Sequence, residues 1–432
     1  MVRAGAALAA AAILALLTIA ASAAAAVDDP YFANGDEWAL TGAPASINAP
    51  AAWCAADGGG VTVAVIDTGA DFGHPDLAGK LVAGARFLSG NGDPEHPDAV
   101  GQDAVADDNG HGTLVAGLVG AVTNNSVGIA AVAPAAKILV VKALDHAGRG
   151  NSRDVAAAIR WAVSNGASVV NLSLGSDVPI VGDVEGAIPA AIDWAHEHGA
   201  AVAIAAGNSA LPTSGAQLTK VVSEALVVGA LARDGRPAYY STTGPGVNIY
   251  APGGDDTQGD DARGLVISTA RGGGYAFSEG TSFATPQVAG TLALLVAAGR
   301  TNDQARQQVL STAAKRNGLP DLDAGRALGA GGACRPGREQ SGAATSGSGV
   351  HDTAPPYQPF TGGTHPATPA PVSDGQFAAA SPPPIVRLAT TAAPLAGHQP
   401  WAAWAALAIL SIAAGILTAR LRFLRPERKK LG

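Results

Sequence analysis

The chain has 432 residues and a formal net charge of −8, enough material for one large domain or two ordinary ones with a substantial core. Setting apart Arg3, the six basic residues Arg420, Arg422, Arg425, Arg428, Lys429 and Lys430, and Glu427 leaves 20 basic against 34 acidic side chains, near −14. That acidity excludes nucleic acid as an expected partner.

In chain order, Arg3, an apolar run through Leu14, Leu16, Leu17 and Ile19, and small residues from Ser22 to Ala26 have the three-part layout of a secretory signal peptide. Residues 1–26 are therefore expected to be cleaved near Ala26, with an uncleaved N-terminal anchor as the alternative. From Val61 to about Leu328, apolar strands alternate with helical stretches, as a parallel sheet covered on both faces requires. VTVAVI (61–66), ILVVKAL (138–144), SVVNLSL (168–174), AAVAIAA (200–206) and ALVVGAL (225–231) read as buried strands. One helix is predicted to start at His111. A second, capped by Asn151 or Ser152, buries Val155, Ile159 and Val163, and a third runs through Ile188, Ile192 and Trp194. The expected fold is α/β, a three-layer, doubly wound, mostly parallel sheet over residues 27–334. Ligands of such sheets sit beyond the carboxyl ends of the strands, where Asp67 and Asn208 fall.

EGTSFATPQVAG (279–290) places Ser282 between a glycine turn and an apolar helix carrying Val288, Leu292, Leu295 and Val296. Gly280 and Thr281 let the chain turn sharply, and Pro286 is expected in the first helical turn. Alone, the stretch reads equally well as a Ser/Thr-capped buried helix. Residues 335–398 shift to Pro, Gly, Ser, Thr and Ala and read as a linker unable to fold alone. An apolar run from Trp401 to Leu417 with tryptophans at its head and a basic flank reads as a spanning helix over 399–419, with 420–432 as a cytoplasmic tail. A buried core helix is the alternative. Cys54 and Cys334 flank the domain, and in an oxidising compartment a disulfide is expected, two free thiols being the alternative. The chain-entropy model puts its contribution at no more than about 5 to 6 kcal/mol.

Three short motifs carry the chemistry. Asp67 opens DTG, His111 sits in NGHGT and Ser282 sits in GTSFATP. An imidazole that takes the hydroxyl proton, a carboxylate that holds its tautomer, and a hydroxyl at a helix N-terminus suffice for nucleophilic attack on a carbonyl, the helix dipole favouring the resulting oxyanion. A DTG also opens the aspartic proteases, but a second copy is missing and His111 would go unexplained.

The order Asp, His, Ser and the flanking residues resemble the subtilisin-like serine proteases, or subtilases, and within them thermitase-like enzymes. DPYF (29–32), INAPAAW (47–53), VIDTGADFGHPDL (65–77), NGHGT (109–113), NNSVGIAAVAP (124–134), NLSLGS (171–176), AAGN (205–208) and GTSFATPQVAG (280–290) carry the resemblance, which spans roughly residues 29 to 330. It implies a serine endopeptidase with Ser282 as nucleophile, His111 as general base then acid, Asp67 orienting His111, and Asn208 joining the Ser282 N–H as oxyanion donor. Ser173, Leu174 and Gly175 are similar to the strand lining the pocket for the residue before the cut bond. Gly148, Arg149 and Gly150 resemble a second edge that pairs with an extended substrate, a grip tolerant of sequence. Arg149 either favours acidic side chains or points into solvent.

The resemblance also implies structural calcium, with which the acidity is compatible. Asp29, Asp76 and the Asn125 side chain, with the backbone carbonyls of Thr123, Val127 and Ile129, would form the oxygen cage. The acidic loop through Asp93, Glu95, Asp98, Asp103, Asp107 and Asp108 reads as a solvated insertion, a second ion being the alternative. Leu114 and Gln287 stand where many subtilases have further histidines outside the triad. The signal-like stretch runs almost directly into DPYF, so activation by removal of a prodomain is not expected. That feature, the Pro-rich linker and the single anchor are similar to the mycosins, membrane proteases of type VII secretion, without their proline-rich N-terminal extension and cysteine pattern. The expected partners are polypeptide substrates, the membrane through the C-terminal helix, and an envelope secretion complex. The expected location is the cell membrane, with the protease domain outside.

Overall fold

A computed structural model describes residues 27–174, 186–212, 224–258, 262–329, 376–378 and 387–389. Short runs rich in Val, Ile and Ala form the strands, in chain order β1 (Thr62–Asp67), β2 (Leu81–Arg86), β3 (Ala99–Val100), β4 (Lys137–Lys142), β5 (Arg149–Asn151), β6 (Val169–Leu172), β7 (Ala201–Ala205), β8 (Ala225–Leu231) and β9 (Ile249–Pro252). They are followed by β10 (Val266–Ala270), β11 (Gly274–Ser278), β12 (Ala314–Arg316) and β13 (Leu319–Asp321). The main sheet has ten strands in the order β12-β13-β9-β8-β7-β6-β1-β4-β2-β3. Its neighbours are parallel from β13 through β2, and only the outermost pairs, β12 with β13 and β2 with β3, run antiparallel.

Burial on both faces explains why these strands read as continuous apolar runs. Successive strand residues point to opposite faces, so Val63 and Val65 enter one core while Ala64 and Ile66 enter the other. The first core is roofed by α1 (His111–Gly120) and α4 (Thr281–Ala297), the second by α2 (Ser152–Ser164) and α3 (Ala187–Glu197). Asn151 caps α2 by accepting from the Asp154 N–H, as its position before the apolar periodicity predicts. Val163 is only half-buried.

From β1 the chain first builds β2 and β4 on one side, then returns to add β6, β7, β8 and β9 on the other. The sheet therefore reverses between β1 and β6. The carboxyl ends of these two strands flank the crevice in which α/β folds bind ligands.

Two expectations about helix α4 and the linker change. Pro286 lies in the second turn of α4, not the first, and the helix is buried on all sides from Thr281 to Leu295 rather than along one face, with Val296 half-buried. The segment read as a linker contributes β14 (Gln376–Ala378), antiparallel to β5, and β15 (Arg387–Ala389), antiparallel to β11. Composition missed them because each strand is completed by an edge elsewhere in the chain and needs no core of its own. Cys54 is disulfide-bonded, and Cys334, the sequence's only other cysteine, lies outside the described residues. Residues 1–26 and 399–419 also lie outside them. No helix among the described residues is long and apolar enough to cross a membrane.

Candidate active site

Asp67 is the last residue of β1 and fully buried; His111 is the first residue of α1. The His111 Nδ1 lies 2.8 Å from Asp67 Oδ1, while Nε2 is buried without a hydrogen-bond partner. A carboxylate on Nδ1 holds the proton there and leaves Nε2 as the basic nitrogen. Burial works to lower the His111 pKa, but the charge and hydrogen bond of Asp67, together with the charge of Asp107, outweigh it and leave the pKa above its ordinary 6.5.

Ser282 occupies the first turn of α4, after Gly280 at φ 146°, a backbone conformation that disfavours any side chain. The ring of Phe283, the next residue, packs against His111 with centroids 5.8 Å apart. In the resting arrangement the Ser282 hydroxyl donates to the Ser173 carbonyl at 3.1 Å, and the Ser173 hydroxyl donates back to the Ser282 carbonyl at 2.8 Å. That carbonyl is available because the residue four positions on is Pro286, which has no N–H to close the helical bond. Asn208, three residues beyond β7, turns its Oδ1 to the N–H and hydroxyl of Thr281 at 3.0 and 2.9 Å. This orientation leaves Nδ2 without an acceptor among the described residues, at the same helix N-terminus.

Residues 58–331 match the subtilase family. The chain belongs to the subtilase family, the subtilisin-like serine endopeptidases. It is 37% identical over 291 residues to thermitase of Thermoactinomyces vulgaris, an alignment covering 67% of this chain and 92% of thermitase. It is 39% identical over 259 residues to a thermophilic serine proteinase of Bacillus sp. strain AK1, covering 60% of this chain and 58% of that one. Among solved structures, a protease from Pseudoalteromonas arctica superposes with a TM-score of 0.60 at 32% identity, over 70% of this chain and 99% of that chain.

The subtilase sheet also places the two strands assigned to substrate. Ser173 and Leu174 extend β6 on one side of β1, while Gly148, Arg149 and Gly150 follow β4, which pairs with β1 on the other side. Asp67 thus lies between them. Arg149 is exposed, and Gly175 lies outside the described residues.

The residues expected to hold calcium converge. Asp29 and Asp76 are fully buried, yet their partners are neutral: Asp29 accepts from the N–H groups of Asn124 and Asn125, and Asp76 from Ile129 N, Asn125 Nδ2 and Tyr275 OH. Glu37, buried beside them and accepting from Ala130 N, is an acid the motifs did not single out. Burial raises the pKa of all three, and mutual repulsion adds to the rise at Asp29 and Glu37. Among the described residues, no hydrogen bond reaches the carbonyl oxygens of Thr123, Val127 or Ile129. Buried acids that accept only from neutral donors, with the His74 imidazole beside Asp76, and carbonyls without donors among the described residues fit a hard divalent cation, as subtilases commonly bind. One feature runs the other way: Asn125 presents Nδ2 to Asp76, and a cation requires its oxygen there.

Four of the six acids in the acidic loop have protein partners. Asp93 pairs with His96, Asp98 accepts from Leu88 N, and Asp108 pairs with Lys142. Asp107 is the residue that motif reading undervalued. It accepts from Thr68 Oγ1, Asn109 N, Gly110 N, Thr113 N and Thr113 Oγ1, and so ties the turn after Asp67 to the start of the His111 helix. Lys142, also overlooked, is a buried lysine in an apolar strand. It donates to the carbonyls of Thr68 and Leu144, fixing the same turn from below. A lone basic residue inside ILVVKAL was the available signal. Tyr240 does likewise for the N-terminus of α4: its hydroxyl accepts from Gly280 N and shares its one proton between the Gly253 and Gly254 carbonyls.

Proposed function

We propose that the chain is a membrane-tethered, extracytoplasmic serine endopeptidase that cleaves polypeptides through an acyl-enzyme. The observation that carries this reading is the buried Asp67–His111 pair at 2.8 Å, its second imidazole nitrogen unclaimed, at the strand ends where Ser282 begins its helix. An extended substrate pairing with the Ser173 carbonyl competes with the Ser282 hydroxyl for that acceptor and releases it towards His111. Neutral His111 then takes the proton at Nε2 while Asp67 stabilises the imidazolium, and Ser282 attacks the peptide carbonyl. Asn208 Nδ2 and the Ser282 N–H receive the oxyanion. His111 returns the proton to the leaving amine, and water attacks the acyl-enzyme by the same relay.

Asp29, Asp76, Asn125 and the carbonyls of Thr123, Val127 and Ile129 would hold the calcium, whose charge would offset the repulsion among the buried acids. The signal-like N-terminus and the basic-flanked apolar stretch at 399–419 support a single anchor with the protease outside.

Labelling of the full chain with a fluorophosphonate probe, beside Ser282→Ala, tests the protease reading: wild type is labelled and the variant is not. Absence of labelling in wild type refutes it. The Pro-rich linker and anchor also support a second reading, a mycosin-like component of a type VII secretion system whose scaffold role is partly independent of proteolysis. Secretion that persists in Ser282→Ala supports that role, and secretion lost with labelling refutes the independence.

A further inference from the structure

We propose that residues 376–378 are a resident strand on the substrate-binding edge, so that the chain competes with its own substrates in cis. The proposal rests on the assignment of residues 148–150 to substrate binding. β14 pairs antiparallel with β5 in the register Gln376↔Asn151, Phe377↔Gly150 and Ala378↔Arg149.

The hydrogen bonds of the turn before β5 show which of its groups face β14. Arg149 is committed inward: its N–H donates to Asp145 Oδ1 and its carbonyl accepts from Asp145 N, at 2.9 and 2.8 Å. Along a strand, successive residues direct their N–H and carbonyl to opposite sides. Gly150 therefore points both groups outward, and its partner there is Phe377. A side chain at Gly150 is precluded by the Ala143 carbonyl, which its Cβ would meet, so at this position the edge offers backbone alone. Recognition by backbone alone is sequence-tolerant, and it does not distinguish a substrate from a segment of the same chain.

The pairing is not an isolated touch. Nine residues further on, β15 pairs with β11 in the register Phe277↔Arg387, Ala276↔Leu388 and Tyr275↔Ala389. The segment is thus held at two places on one body. A substrate that needs the Gly150 N–H and carbonyl must first displace Phe377, whereas one too short to reach β5 meets no competitor.

The test uses the full chain with Phe377→Pro, which removes the donor to Gly150, and with residues 376–378 replaced by three prolines, which removes every N–H of the strand. Fluorophosphonate titration first equalises the active fraction, and its outcome judges the protease reading separately. For a peptide substrate with four or more residues before the cut bond, KM is expected to fall about two- to tenfold in both variants, given a tethered competitor at an effective concentration of order millimolar. For a single-residue ester, kcat/KM is expected to stay unchanged. Backbone hydrogen exchange at Gly150 reads the pairing irrespective of turnover, slow in wild type and released in Phe377→Pro. An unchanged KM for the long peptide, or equally fast exchange at Gly150 in wild type and variant, overturns the proposal.

Discussion

Replacing Asp107 by Asn separates what holds the catalytic helix from what tunes its histidine. In wild type one carboxylate accepts five hydrogen bonds, two of them from Thr113 at 3.0 and 2.5 Å. An amide offers one acceptor oxygen, so either the Thr113 donors or the Thr68, Asn109 and Gly110 donors face an NH2 group. Two lost bonds to a charged group, at about 1.5–3 kcal/mol each, give a destabilisation of about 3–6 kcal/mol. For a domain of roughly 300 residues that lowers Tm by about 5–10 °C. Burial opposes ionisation of Asp107, but its hydrogen bonds to Thr113, Gly110, Asn109 and Thr68 outweigh it and hold the pKa below the ordinary 3.8. The stability this group contributes is therefore present above pH 3.8 and fades as pH falls through the lower folded value, and the gap between wild type and variant narrows in the same direction. Catalysis supplies the independent readout. His111 must be neutral to act as base, so kcat/KM rises as pH passes its raised pKa, and Asp107 is one of the charges raising it. In the variant the acid limb of the kcat/KM profile moves to lower pH. Thermal melts between pH 3 and 8 and a pH–rate profile on a peptide substrate make the measurement. An unchanged Tm, or an acid limb that moves to higher pH, refutes the reasoning.

Two further outcomes follow from the site. Asn208→Ala removes the oxyanion donor and lowers kcat by about 10²–10³-fold with little change in KM, the magnitude measured for such an asparagine in this family; a kcat within threefold of wild type refutes the role. Removal of divalent cations with a chelator lowers Tm in wild type and much less in Asp76→Asn, and readdition of calcium restores the wild type only. Equal melting of all samples refutes the calcium site.

The fold was legible because burial on both faces leaves Val, Ile and Ala in near-unbroken runs in β1, β4, β6, β7 and β8, and because Asn151 marks a helix start by a local cap. Sequence motifs also brought Asp67, His111, Asn208 and Ser282 to one crevice, since strand ends at a sheet reversal converge. What escaped was whatever depends on a distant partner. Asp107 looked like one acid among six in a loop until Thr68 and Thr113 were seen to converge on it. Glu37 carries no motif, and its role appears only when Asp29 and Asp76 arrive beside it. β14 and β15 have no signature because their partners, β5 and β11, lie over a hundred residues earlier in the chain.

Pro286 shows how a local cost is turned to use. A proline in the second turn forfeits one helical hydrogen bond and exposes the carbonyl of the residue four positions before it, a cost of about 3 kcal/mol in an ordinary helix interior. In this chain that residue is Ser282. Its freed carbonyl accepts the Ser173 hydroxyl, which in turn is oriented by Asn171 Nδ2 at 3.0 Å. The nucleophile's backbone is thereby fastened to the end of β6 rather than to its own helix. In the proposed mechanism the Ser282 hydroxyl turns from the Ser173 carbonyl, its acceptor at 3.1 Å, towards His111, and a substrate that claims that carbonyl biases the turn towards the base.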